Sequence, residues 1–237
     1  MIQLRYLLYF LIIPVVSGYS QNTAADFIKS GKKKSDKQQY DAAIKDYDKA
    51  ISMDTENSET YYLRGNAKFE KEDFKGAISD YSKLLELNVK SSDGYFNRGN
   101  AYYELEEYEK ALKDFNNALR LSPDDPDIYY SRASCLFMLE QYDNAIKDFS
   151  KTIDLDPANS DAFYDRGNCY FYLEDYGKAI DNYSEAIKIH CDIFDYYYNR
   201  ALAEFRVDMD KEGCNDLKKA SSLGDEQAGA YHSELCE

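Results

Sequence analysis

Residues 92–125 read SDGYFNRGNAYYELEEYEKALKDFNNALRLSPDD. Small and apolar residues recur along this stretch at helical steps. Tyr95, Gly99, Tyr102 and Leu105 follow one another at intervals of three and four. After Glu106 and Glu107 the series Tyr108, Ala111, Phe115, Ala118 and Leu121 does the same. Each series covers one face of an α-helix. Ser122-Pro123-Asp124-Asp125 then closes the unit, because Pro123 cannot continue a helix and the acidic residues favour the start of the next one. The stretch therefore predicts two short amphipathic helices with polar links.

Moving outward by 34 residues in either direction finds the same pattern. Arg64-Gly65-Asn66, Arg98-Gly99-Asn100 and Arg166-Gly167-Asn168 share one phase, filled in by Arg132-Ala133-Ser134 and continued by Arg200-Ala201-Leu202. Ala43, Ala77, Ala111, Ala145 and Ala179 keep the same period, as do Tyr47, Tyr81, Phe115, Phe149 and Tyr183. A fixed period of this size marks a stacked array whose units bury their faces against their neighbours. Gly99, Ala111 and Ala118 are small where two helices must approach closely, and the aromatic residues fill the space beside them.

Composition narrows the function. The 237 residues include 24 Tyr and 12 Phe but no Trp, with only 4 Pro and 11 Gly, which disfavours a turn-rich β-sandwich. Asp+Glu 44 outweigh Lys+Arg 29, for a net charge of −15. A nucleic acid or an anionic membrane surface would be repelled before contact. His190 and His232 lie far apart in the repeat and in no metal-ligand spacing. The sequence contains no nucleophile elbow, phosphate loop or dinucleotide fingerprint. Its carboxylates recur with the repeat, which marks scaffold rather than a catalytic pair. The expectation is a protein without catalytic activity, cofactor or metal.

Residues 1–20, MIQLRYLLYFLIIPVVSGYS, differ from the rest. Arg5 precedes an apolar run, Tyr6–Val16, and Gly18 and Ser20 are small residues before Gln21. This is the layout of a cleavable secretory signal, too short for the roughly 18–20 apolar residues of a membrane span. An uncleaved anchor and a buried N-terminal helix are the alternatives. Export is expected, to the periplasm, the envelope or the medium, with no stable membrane span after cleavage.

With its large residues at positions 4, 17 and 24 of the period and its small ones at 8, 20 and 27, the chain resembles the tetratricopeptide repeat (TPR) family. The resemblance divides it into six repeats, 24–57, 58–91, 92–125, 126–159, 160–193 and 194–227, with the flanking ones degraded. It implies an all-α helix-turn-helix solenoid winding as a right-handed superhelix. A segment over 226–236 would close the stack as a C-terminal capping helix.

The recurring arginines Arg64, Arg98, Arg132 and Arg166 share their period with Asp46, Asp80, Asp114 and Asp148. Bridges between helices are expected, since a partly buried Arg needs a partner. Ser30 replaces Arg in the first repeat, so Asp46 could reach Arg64 of the next one; this favours bridging across repeat boundaries without deciding it.

The resemblance also implies that the first helix of each repeat lines a concave groove. Carried over position by position, its aromatic residues are Tyr62, Phe96, Tyr130, Tyr164 and Tyr198, with Tyr103, Phe137 and Phe171. Asn66, Asn100 and Asn168 lie between them, and Asp93, Asp127 and Asp161 form a carboxylate row alongside. These aromatic positions are read as surplus to the core. Aromatic rings are enriched at interface hot spots. A clamp for acidic chaperone tails is disfavoured, because aromatic residues stand where its lysines belong. The expected partner is a protein or peptide with basic and apolar side chains. A periplasmic chaperone and a glycan-binding module of the envelope are the alternatives. Among five cysteines, Cys135 and Cys169 read as small core fillers, and Cys214 and Cys236 as a candidate disulfide in an oxidising compartment.

Overall fold

The computed structural model describes residues 22–236; the leader expected over 1–20 lies outside them. Among the described residues there are thirteen helices and no strand. The first helices are α1 (Ala24–Ser35), α3 (Ser58–Phe69), α5 (Ser92–Glu104), α7 (Pro126–Met138), α9 (Ser160–Tyr172) and α11 (Phe194–Phe205). They alternate with α2 (Tyr40–Met53), α4 (Phe74–Leu87), α6 (Tyr108–Leu121), α8 (Tyr142–Leu155), α10 (Tyr176–Ile189) and α12 (Asp210–Ser222). The last, α13 (Glu226–Leu235), packs on α12.

Local chemistry starts and stops each helix at the same place in the period. The last residue of a repeat caps the next: Asn57, Ser91, Asp125 and Asn159 each accept a backbone N–H from the first turn of α3, α5, α7 or α9. Ile193 breaks this pattern and offers α11 no side-chain cap. The turn inside each repeat is closed by a residue in the left-handed region: Gln38, Glu72, Glu106, Glu140, Glu174 and Asp208 have φ between 57° and 62°. The residue after each donates its N–H to a carbonyl five positions back, as Glu107 does to Tyr102, which satisfies an otherwise orphaned helix end.

The core is the same small-and-large set repeated along the stack. Ala43, Ala77, Ala111, Ala145 and Ala179 are fully buried, and Tyr47, Tyr81, Phe115, Phe149 and Tyr183 lie beside them at 1% exposure or less. A Cβ on Gly99 would stand 2.7 Å from the Phe115 ring, so the glycine sets how closely α5 and α6 approach. Every helix packs on its neighbours in sequence, and the first helices also touch across repeats, α3 on α5 and α7 on α9. That second contact makes the first helices the inner, concave wall of the solenoid.

Candidate functional site

The arginine ladder is internal. Arg98 donates from Nε and Nη2 to the two carboxylate oxygens of Asp114 at 2.7 and 2.9 Å, inside its own repeat. Arg64 and Asp80, Arg132 and Asp148, and Arg200 and Asp216 repeat this fork. The third donor, Nη1, reaches back one repeat, to Asp48 from Arg64, Ser82 from Arg98, Asn116 from Arg132 and Ser150 from Arg166. The forked Arg–Asp pairs therefore form within repeats, a choice the sequence left open, and Nη1 does the crossing, to a carboxylate at Asp48 and to neutral oxygens at Ser82, Asn116 and Ser150. Asp46 pairs with Lys34, not with Arg64. Arg166 meets neutral Asn182, and burial holds its guanidinium below the usual range. Each of the five arginines also lies over the aromatic ring three residues before it, at 5.5–5.8 Å. With donors and faces engaged, the ladder leaves little for an outside anion.

The aromatic residues assigned to the groove belong in part to the core. Tyr62, Phe96, Tyr130 and Tyr164 are half-buried, with ring centroids 5.6–6.4 Å from Tyr81, Phe115, Phe149 and Tyr183. Tyr103, Phe137 and Phe171 pack edge-on against Tyr108, Tyr142 and Tyr176 at 5.3–5.5 Å. The small residues of the repeat leave gaps that one ring per helix does not fill, and a second ring completes them. Tyr198 is covered by Tyr231 of α13, stacked at 6.2 Å. Asp161 accepts the Tyr196 hydroxyl at 2.7 Å. Asp93 and Asp127 are exposed in the first turns of α5 and α7, where a negative charge favours a helix start.

What lies open on the concave wall is a trough of three adjoining hollows. The first, about 350 Å³, runs from Lys32 and Tyr40 to Asn66 and Glu70. The second, about 250 Å³, is bounded by Asn66, Phe69, Asn97 and Asn100. The third, about 410 Å³, is lined by Phe69, Asn100, Tyr103, Glu104, Tyr130 and Asp165, among others. The structure thus brings Asn66, Asn100, Tyr103 and Tyr130 of the expected residues into the trough. Its carboxylates are Asp36, Glu70, Glu104 and Asp165, none of which belongs to the expected row.

Hydrogen bonds tie several of the polar groups near the trough to the core. Asn66 and Asn168 accept the buried hydroxyls of Tyr81 and Tyr183 at 2.7 and 2.9 Å. Asn100 has the same place in a repeat whose core ring is Phe115, without a hydroxyl, and it lines the second and third hollows. Further hydrogen bonds link successive repeats: Asn97 donates to the Tyr62 hydroxyl, Asn199 to that of Tyr164, and the Tyr130 hydroxyl donates to Asp165 at 2.7 Å. Burial, with the charge of Asp161 adding to it, pushes the Asp165 carboxyl up to about 6. Sequence reasoning missed Asp165, although a signal existed: its place in the period reads Leu63, Asn97, Ser131, Asp165 and Asn199, acidic only once.

Elsewhere, Cys214 and Cys236 are joined, Cα to Cα 5.7 Å, and fasten α13 to α12. Cys135 and Cys169 are buried, and burial pushes both thiols up to about 12. Among the described residues no group of three metal-ligating side chains converges, and no helix is long and apolar enough to cross a membrane.

Models of the TPR repeat match residues 31–71, 65–105 and 99–139, and a tetratricopeptide repeat model matches 126–159 and 160–190. No curated protein matches the chain in sequence. Among solved structures, a MamA protein is 26% identical, with 74% of this chain and 96% of that chain covered at a TM-score of 0.68. YrrB, described as a TPR protein with an unusual peptide-binding site, is 23% identical, with 80% and 98% covered at 0.68. The C-terminal part of a TPR repeat-containing protein from Cytophaga hutchinsonii is 18% identical, with 83% and 78% covered at 0.73. The last two likenesses are of fold.

Proposed function

Since the chain belongs to the tetratricopeptide repeat family, we propose that it is an exported interaction scaffold that holds a segment of a partner protein in its concave trough. The observation that carries this reading is the continuity of the trough across α1, α3, α5, α7 and α9, where neighbouring hollows share Asn66, Glu70, Phe69 and Asn100. A surface that runs from repeat to repeat suits an extended or helical segment better than a small molecule. Its half-exposed rings offer apolar area at low entropy cost, and its carboxylates favour basic side chains and raise the on-rate. Peptide binding is a use of this fold in YrrB. The glycan alternative is weakened by Asn66, whose amide oxygen already accepts from Tyr81 and Asn97.

The test is capture from an envelope fraction by the chain and by an Asn100→Trp, Ser134→Trp variant, in which two indoles fill the trough. The variant should keep its helical circular dichroism and lose the captured partner. An identical captured set would sink the reading.

A further inference from the structure

The third hollow of the trough has a composition the other repeats do not reproduce. Asp165 and Glu104 face it, Phe69, Tyr103 and Tyr130 wall it, and no Lys or Arg lines it. The five aspartates buried at the helix interfaces have cationic partners, Lys34 for Asp46, Arg64 for Asp80, Arg98 for Asp114, Arg132 for Asp148 and Arg200 for Asp216, and buried Glu204 lies 3.8 Å from Arg200. Asp165 has none among the described residues; its partners are the Tyr130 hydroxyl and the Asn168 amide, at 2.7 and 3.3 Å. Two bonds leave a carboxylate with accepting capacity to spare.

The repeat shows what this position needs for folding alone. Asn97 and Asn199 hold the equivalent place and meet the equivalent tyrosine hydroxyl. An amide would therefore pin Tyr130 as well, without a charge that the surroundings disfavour. An acid kept where an amide suffices points to a use outside the fold.

Resting on the scaffold reading, we propose that this hollow receives an arginine or lysine side chain of the partner segment, paired with Asp165 and flanked by Glu104. The aromatic walls suit such a guest, since the stem of a basic side chain packs on rings and its cation is attracted to their faces. At about 410 Å³ the hollow admits one such side chain with room to spare.

Random heptapeptides selected on the whole chain, and counter-selected on Ser134→Trp, supply the probes. The best binder is remade with citrulline or norleucine in place of its basic residue and titrated against the wild type, Asp165→Asn and Glu104→Gln. The expected result is a basic residue in the selected peptides, at least a tenfold loss on its neutral replacement, and a similar loss with Asp165→Asn. The two losses should not add, because both remove one pair. Tm of Asp165→Asn should be unchanged or higher, which separates lost binding from lost folding. Glu104→Gln, an exposed change, should lose less. Peptides that need an open trough yet ignore both citrulline and Asp165→Asn would overturn the basic anchor and leave the scaffold standing. If the counter-selection on Ser134→Trp leaves no binder, both readings fall together.

Discussion

At the scale of single residues, the informative positions are those where one repeat departs from the others. Lys34 and Lys68 stand eleventh in their repeats and pair with Asp46 and Asp80. Glu204 occupies the same place in the sixth repeat, beside Asp216 and 3.8 Å from Arg200; burial and the like charge of Asp216 outweigh the arginine and push its carboxyl up to about 7. It is 5% exposed, and its Oε2 has no hydrogen-bond partner. The folded chain thus holds this proton more tightly than the unfolded chain. The resulting stability is full below the ordinary glutamate range, near 4.5, and is lost as pH rises through about 7. Glu204→Gln should raise stability at pH 8 by about 1–3 kcal/mol and change it little at pH 4. Thermal unfolding of both proteins at the two pH values checks this; an equal gain at both would show that the charge is not the cause. Asp165 is a departure of the same kind, but on an open surface, and there the misfit is assigned to binding.

At the scale of elements, the six intra-repeat turns carry strain that the repeat did not remove. Each places a non-glycine residue in the left-handed region, four of them glutamates. Glu140→Gly should relieve this, raising stability by about 0.5–1 kcal/mol, read from a denaturant midpoint shift at constant slope. The elements were legible in the sequence because several markers kept one period, and no local accident can imitate that. The open surface was less so. Ring positions were readable, but whether Tyr62 or Phe137 faces solvent depends on how much space Gly65 or Ala145 leaves beside it. The expected carboxylate row sits at helix starts, whereas the acids in the trough come from other positions, Asp36, Glu70, Glu104 and Asp165. Family position numbers describe an average repeat, and a binding surface is made by the repeats that differ from it.

At the scale of the whole molecule, α13 ends the stack by burying Ala228 beside Leu217 and laying Tyr231 on Tyr198, with the Cys214–Cys236 link holding it there. Reducing that link should lower the stability of the last repeat by about 3 kcal/mol, as expected for a loop of this length. Hydrogen exchange under reducing conditions should show loss of protection confined to α11–α13. Loss spread evenly from α1 onward would mean that the array unfolds as one unit. The arginine ladder has a further consequence, for the order of assembly. Each Nη1 bond runs from a repeat to the one before it, never forward, and the α1–α2 pair, the first described, has Ser30 where the others have arginine. The solenoid therefore has a direction: a nascent chain lengthening from its N-terminal side could dock every new hairpin onto one already in place, growing vectorially before its C-terminal hairpins exist.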